Sequence, residues 1–162
     1  MKEPCVGLFG TCDNIRWRDP FMAEYDRQGV RYFNPVVENW TPGCIPEEKR
    51  HLEEDAIVLF PILGESYGQG SLSELGFGPL RALARNRFRS FIVLIDDDLV
   101  ERLNDEGRRK DSIRSRKMVK AYLRGLGLPN VYLVDTLPEM LELSLTLYRA
   151  HVLLTECERK LA

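Results

Sequence analysis

The sequence predicts an α/β fold: a doubly wound parallel sheet of five strands with helices on both faces. Five short apolar runs, separated by polar stretches of helical length, carry this prediction. Near-continuous apolar composition is typical of strands that are covered on both faces, as they are in a parallel sheet. Because no repeat or low-complexity linker interrupts the alternation, we expect a single domain over residues 1–162.

Each apolar run has the length of a strand, and β-branched residues are frequent among them. The predicted strands are Val6–Phe9, Val30–Phe33, Ala56–Phe60, Phe91–Ile95 and Val131–Val134. The second run is more polar than the others, so we place it at an edge of the sheet. The expected strand order is 2-1-3-4-5, the flavodoxin-like arrangement.

Helix start and stop signals lie between the runs. Asp19 followed by Pro20 predicts the N-cap and first turn of the first helix, and Gly29 predicts its end. Pro46, with two glutamates after it, predicts the start of a second, short helix. The later helices are expected over residues 72–85, over 111–124 before Gly125 and Gly127, and from Thr136 to a fraying end at residues 156–162.

Composition excludes several classes of protein. The chain is 44% hydrophobic and 30% charged, which fits a globule rather than a disordered chain. Its 23 Lys and Arg against 25 Asp and Glu leave a net charge of −2, so we expect no nucleic-acid partner. No apolar run approaches the roughly 18 residues of a membrane span, and the first strand leaves no room for a signal segment. We therefore expect a cytoplasmic protein with no membrane partner.

Neither a metal nor a cofactor is predicted. The four cysteines form no CxxC pair, and two histidines are few for a zinc site, so we expect free thiols. No GxxxxGK[ST] motif follows a strand, and no GxGxxG motif is completed. A P-loop and a dinucleotide-binding fingerprint are therefore excluded.

Ligands of doubly wound sheets bind at the carboxyl edge of the strands. The loops expected at this edge cover residues 10–19, 34–46, 61–71 and 96–111. In the first of them, Gly10 permits close backbone approach, while Thr11, Asp13 and Asn14 offer short hydrogen-bonding groups for sugar hydroxyls or phosphate. A plain turn with an N-cap explains the same residues, and composition leaves both interpretations open.

The second and third loops add an indole and a carboxylate. Trp40 stands among polar residues, where it would either stack on a base or cover the edge of the core. Ser71-x-x-Glu74 fits a capping box, in which both side chains satisfy backbone N–H groups of the first turn. The same glutamate, kept ionised by the helix dipole, would suit displacement at the anomeric carbon of a sugar.

Three segments together resemble the nucleoside 2-deoxyribosyltransferase-like family, over about residues 5–96. They are Phe9–Asn14, Trp17–Asp19 and Tyr32–Pro42, the last containing an Asn-Pro-Val-Val-x-x-Trp-Thr-Pro pattern. Gly70–Gly76 is similar to the loop that carries the catalytic glutamate of that family.

The resemblance implies deoxyribosyl transfer between bases. Glu74 would attack C1′ of a 2′-deoxyribonucleoside and form a glutamyl-deoxyribose intermediate, which a second base or water would then resolve. An acid must protonate the leaving base, and the candidates are Asp13, Glu48 and, last, Asp55, which precedes the third strand at the opposite edge. Because a leucine replaces the family's first-strand tyrosine, Tyr67 is the candidate for an orienting phenol.

The resemblance also implies which residues bind the substrate. Thr11, Asn14 and Arg18 would hold a 5′-phosphate, although pairing with a surface carboxylate is a common fate for an arginine such as Arg18. The full expected set is Gly10, Thr11, Asn14, Arg18, Asn34, Trp40, Gly68, Gly70 and Ser71. Expected partners are a deoxynucleoside or deoxynucleotide, a free base and further copies of the chain. The basic segment 108–124 would either reach a neighbouring subunit or form a solvated helix face.

Two other functions remain open. One is hydrolysis of the N-glycosidic bond of a deoxynucleoside 5′-monophosphate, and the other is non-catalytic sensing of a nucleoside or nucleotide. The missing first-strand tyrosine favours sensing. The intact Gly70-Ser71-x-x-Glu74 segment favours catalysis.

Overall fold

The computed structural model describes residues 3–12, 15–75 and 88–161, and its five strands form one parallel sheet. The strands are β1 (Val6–Leu8), β2 (Tyr32–Phe33), β3 (Ile57–Ile62), β4 (Ser90–Ile95) and β5 (Val131–Val134). Their order is β2-β1-β3-β4-β5, and every neighbouring pair is parallel. The predicted flavodoxin-like order is confirmed, and so is the edge position of the second strand.

Helices cover both faces of this sheet. They are α1 (Arg18–Gln28), α2 (Ile45–Glu54, after a 3₁₀ turn at Pro42–Cys44), α3 (described over residues 69–75), α4 (Glu106–Leu126) and α5 (Leu137–Leu161). Helices α1 and α5 pack on one face, where Phe21, Tyr25 and Met140 are buried against the strands. Helices α2, α3 and α4 pack on the other face, which buries Leu75 and Leu123. None of the helices in the described part of the chain is long and apolar enough to cross a membrane.

Helices α1 and α4 begin earlier than the sequence predicts. Helix α1 starts at Arg18 with Trp17 as its N-cap, so Asp19 lies inside the first turn, where its carboxylate pairs with Arg16. Helix α4 starts at Glu106 because Asp105 caps it, accepting a hydrogen bond from the backbone N–H of Arg108 at 3.0 Å. An acidic residue among many charged ones gives a weak capping signal, which explains the missed start.

The predicted capping box of α3 is wrong. The helix is already regular at residue 69, and the backbone N–H of Leu72 donates to the carbonyl of Gly68 at 2.8 Å. Ser71 therefore lies within the helix and is not its N-cap, and the expected end of α3 near residue 85 falls outside the described residues.

Glycines mark the ends of two helices. Gly29 ends α1 and Gly127 ends α4, both in the left-handed conformation, with φ of 66° and 56°. Gly125 lies inside α4, which ends two residues later than the predicted end at residue 124. Helix α5 continues to Leu161, so fraying from residue 156 is not observed.

Candidate functional site

A cavity of about 330 Å³ opens at the carboxyl edge of the sheet, beyond the ends of β1 and β2. It is lined by Phe9, Gly10, Cys12, Pro35, Val36, Val37, Trp40, Glu48 and Glu74. These residues come from the loops after β1 and β2 and from helices α2 and α3. The cavity thus lies beside the point where the strand order reverses, between β1 and β3. We call it the cleft.

The floor of the cleft requires a glycine. Gly10 has φ of 90°, and a Cβ at this position would lie 2.5 Å from the carbonyl oxygen of Pro61. The next residue, Thr11, donates its backbone N–H to the same carbonyl at 2.8 Å. Only a residue without a side chain lets the first loop pack this closely onto β3.

Thr11 uses its hydroxyl within the protein. The hydroxyl donates to the carbonyl of Pro61 at 2.9 Å and accepts from the backbone N–H of Leu63 at 2.9 Å. Its side chain is 1% exposed. The threonine expected to bind substrate therefore ties the loop after β1 to the loop after β3.

Arg18 is also committed to the first loop. Its guanidinium donates to the carbonyls of Leu8, Thr11 and Phe9 at 2.8, 2.9 and 3.4 Å. The residue is 4% exposed, and this burial lowers the pKa of its guanidinium. Trp17 lies 4.4 Å from the guanidinium carbon and donates from Nε1 to the carbonyl of Thr11. Arg18 therefore neither pairs with a surface carboxylate nor points at a phosphate site.

The second loop brings Trp40 to the mouth of the cleft. The indole is 55% exposed, and its Nε1 donates to a carboxylate oxygen of Glu48 at 2.8 Å. Asn34 shapes this loop: its side-chain oxygen accepts from the N–H of Val36 at 3.0 Å, and its amide contacts the sulfur of Met22. Asn34 is not among the residues that line the cleft.

Glu74 lines the cleft together with Glu48. No described residue donates a hydrogen bond to the carboxylate of Glu74. Desolvation in the cleft raises the pKa of Glu74 above its ordinary value of 4.5, and the nearby negative charge of Glu48 raises it further. This direction is opposite to the ionisation expected from the helix dipole, because α3 begins at residue 69 and places Glu74 beyond its first turn.

The loop between β3 and α3 is held by an arginine for which the sequence predicts no individual role. Arg116 of α4 is fully buried and donates to the carbonyls of Ile62, Leu63 and Ser66 at 2.7 to 2.9 Å. A Cβ on Gly68, whose φ is 66°, would lie 3.1 Å from the same guanidinium. Nothing in the sequence distinguishes Arg116 from the other basic residues of the segment 108–124, so no local signal reveals it.

The remaining predicted residues lie around or away from the cleft. The carbonyl of Tyr67 accepts a hydrogen bond from the hydroxyl of Ser112, and Tyr67 does not line the cavity. Gly70 faces open space, and Ser71 is half-buried. Asp55 lies at the opposite edge of the sheet, before β3. The predictions for Asp13 and Asn14 fall outside the described residues.

The described lining of the cleft contains two carboxylates and no lysine or arginine. An exposed aromatic ring, acidic acceptors and a close backbone approach suit a flat ligand that carries hydrogen-bond donors. They do not suit a phosphate.

No protein-family model matches the sequence, and no curated protein matches it. A search of solved structures finds the crystal structure of the RPS4 and RRS1 TIR domain heterodimer, with a TM-score of 0.57 and 10% sequence identity. The match covers 91% of this chain and 99% of the TIR chain. At this identity the likeness shows the fold, a flavodoxin-like α/β sheet of the kind found in TIR domains.

These comparisons overturn the sequence-based assignment. The resemblance to the nucleoside 2-deoxyribosyltransferase-like family is wrong, and deoxyribosyl transfer between bases is wrong with it. The physical reason lies in the motif residues: Thr11, Trp17, Arg18 and Asn34 bind the protein's own loops. The motif pattern is therefore explained by how these loops are built, without a substrate. What the chain shares with a known structure is the TIR-like fold.

Proposed function

We propose that the chain is a nucleoside-sensing module, which binds its ligand in the cleft without converting it. The observation that carries this proposal is the composition of the cleft, where Trp40, Glu48 and Glu74 surround the backbone of Gly10. The volume of about 330 Å³ lies at the small end of ligand sites, which suits a ligand of nucleoside size.

Trp40 supports recognition of a base. Its indole is held by a hydrogen bond to Glu48 and is still 55% exposed, so one face is available for stacking. Glu48 and Glu74 are acceptors for the amino and imino groups of a base or for sugar hydroxyls. Truncating an aromatic residue that stacks on a base costs about 1–3 kcal/mol.

The charge of the cleft favours a nucleoside over its monophosphate. Of the three side chains expected to hold a phosphate, Thr11 and Arg18 bond to main-chain atoms of the protein, and Asn14 lies outside the described residues. Phosphate in the cleft would also meet two carboxylates with no described cation to offset them.

Calorimetric titration of the full chain with deoxyadenosine, deoxyinosine and their 5′-monophosphates tests this proposal. We expect binding of a nucleoside, weaker binding of its monophosphate, and a loss of about tenfold or more in Trp40→Ala. Glu65→Gln is the control variant and should bind like the wild type, because Glu65 is an exposed carboxylate outside the cleft lining. Absence of binding for all four ligands, or equal binding by Trp40→Ala, would contradict the proposal.

Hydrolysis of an N-glycosidic bond is the second candidate, and one observation favours it. Two carboxylates line one cleft, and the pKa of Glu74 is raised while Glu48 bears on it as a negative charge. Glycosidic cleavage uses a pair of carboxyl groups, one of which is an acid with a raised pKa. Chromatography of the same nucleosides after incubation decides between the candidates: free base that is released by the wild type and not by Glu74→Gln supports hydrolysis, and an unchanged nucleoside supports sensing.

We also infer that the chain assembles with copies of itself. The TIR neighbour is a heterodimer, and α4 exposes Met118, Tyr122 and Leu126 at spacings of four residues, hence on one helix face. Light scattering should show an oligomer that Tyr122→Lys converts to a monomer. A monomeric wild type would refute this inference.

We also propose that the chain resides in a reducing, cytoplasmic compartment. All four cysteines lie in the described part of the chain, and none forms a disulfide.

A further inference from the structure

Three side chains with metal-binding atoms meet at the amino edge of the sheet, opposite the cleft. They are Cys5, His51 and Asp55, and their ligand atoms all lie within 4.8 Å of one another. The residues are buried, with exposures of 5%, 7% and 4%. Nothing in the proposed function uses this cluster.

The fold brings the three residues together from separate segments. Cys5 immediately precedes β1, and Asp55 lies two residues before β3, which pairs with β1 in the register Val6↔Ile57. His51 lies one helical turn before Asp55, at the end of α2.

The histidine ring is held in place from two sides. Phe33 stacks on it with ring centroids 3.7 Å apart and an interplanar angle of 1°. Its Nδ1 lies 2.9 and 3.0 Å from the two carboxylate oxygens of Asp55. The ring is therefore oriented before any ligand binds, which lowers the conformational cost of coordination.

We propose that Cys5, His51 and Asp55 bind one Zn²⁺ ion, with water as the fourth ligand. Thiolate, imidazole and carboxylate are the ligand types that Zn²⁺ takes in proteins, and three protein ligands plus water complete a tetrahedron. The two anionic ligands balance the charge of the ion, so the loaded cluster buries no net charge of its own.

A second cavity provides both an entry path and room for the water. It has a volume of about 250 Å³, and Cys5 and Asp55 line it together with Arg89. Arg89 is 1% exposed, and its Nη1 has no hydrogen-bond partner within the described residues. A buried donor without a partner is costly. A metal-bound water or hydroxide is an acceptor that would satisfy it.

Metal binding would move two protons. The Nε2 of His51 lies 2.8 Å from Nη2 of Arg50, which can only donate, so Nε2 is the acceptor and Nδ1 carries the proton. On binding, the thiol of Cys5 releases one proton to solvent, and the Nδ1 proton is exchanged for one on Nε2. Arg50 then turns to Glu47, which its guanidinium already contacts at 3.0 Å.

Cobalt(II) titration of the chelator-treated full chain tests the site, because Co²⁺ occupies the same ligands more weakly than Zn²⁺. We expect one equivalent of Co²⁺ to produce a thiolate-to-cobalt charge-transfer band, and one equivalent of Zn²⁺ to abolish it. Cys5→Ser should lose the band. His51→Gln and Asp55→Asn should each weaken Co²⁺ binding by more than about tenfold. Loss of a residue that only hydrogen-bonds a metal ligand already weakens metal binding by at least about tenfold, so loss of a ligand should exceed that value.

Cys12→Ser is the matched control, since Cys12 is an exposed thiol at the other edge of the sheet. It should keep the full band. A wild type without the band, or a Cys5→Ser variant that retains it, would overturn the proposal. Since the wild-type titration is decisive by itself, the test holds even where a variant fails to fold.

Discussion

At the scale of single residues, the ionisation of Glu74 should affect the free energy of unfolding. Its pKa is raised in the folded chain, so folding favours the protonated form, and this contribution is complete below pH 4.5 and is lost as pH rises through the folded value. At pH 7 the ionised side chain is therefore a small cost. Glu74→Gln should therefore raise the urea midpoint at pH 7. The gain in the free energy of unfolding should be less than about 1 kcal/mol, because the residue is exposed.

The same comparison at pH 4 should show no difference between Glu74→Gln and the wild type. Glu65→Gln, outside the cleft, should leave the midpoint unchanged at both pH values. A Glu74→Gln protein that is less stable at pH 7 would show that the carboxylate makes a stabilising contact.

Gly10 and Gly70 form a matched pair for a second prediction. Gly10→Ala should destabilise the chain by about 2 kcal/mol or more, because it combines a positive φ with a clash on the Pro61 carbonyl. Gly70→Ala lies in α3 with open space around it, and it should stabilise by about 0.5–1 kcal/mol. Urea denaturation measures both, and equal effects would contradict the described backbone of the first loop.

At the scale of elements, Arg116 joins α4 to the loop that leads to α3. Arg116→Met should cost about 3 kcal/mol, because it removes the buried guanidinium that donates to the carbonyls of Ile62, Leu63 and Ser66. It should also weaken ligand binding, since this loop positions Glu74.

Arg114→Met supplies the control on the same helix, as Arg114 is exposed. It should change neither stability nor binding. Circular dichroism during urea denaturation, followed by calorimetry, gives both values, and equal effects of the two substitutions would remove the role assigned to Arg116.

Elements are also where the sequence is most informative. Strands β3 and β4 are buried on both faces, so their composition predicts both their existence and the parallel sheet. The start of α3 is missed because a backbone bond from Leu72 to Gly68 begins it, and Ser71-x-x-Glu74 only imitates a cap. Main-chain bonds of this kind leave no trace in side-chain identity.

The cleft, too, is predicted only in part from the sequence. Gly10, Trp40 and Glu74 follow from their positions after predicted strands, since parallel strands end at one edge. The hydrogen-bond partners of Thr11 and Arg18 cannot be predicted from the sequence. A threonine or arginine in a loop can bond either to a ligand or to a carbonyl of the protein, and here both bond to carbonyls. The Cys5 cluster does not follow from the sequence for another reason: spacing along the chain encodes the His51–Asp55 pair, but only strand register brings Cys5 to it.

At the scale of the whole molecule, the two sites lie at opposite ends of one strand. From Cys5 to Gly10 the chain runs through β1, a span of about 15 Å when extended. Helix α2 carries a residue of each site, Glu48 and His51, but Cys5 itself lies beyond the roughly 7–10 Å over which substitutions usually couple to the cleft. Cys5→Ser should therefore change nucleoside affinity by less than about threefold, and zinc should leave that affinity unchanged. A larger shift in calorimetry would mean that the two ends of β1 are coupled.

The shortness of β2 limits how this molecule can polymerise. Strand β2 consists of Tyr32 and Phe33, which pair with β1. The edge of the sheet formed by β2 therefore offers only about two residues of extended backbone. An incoming strand from another molecule finds almost no template there. Filaments built by extending the sheet sideways are therefore disfavoured at this edge.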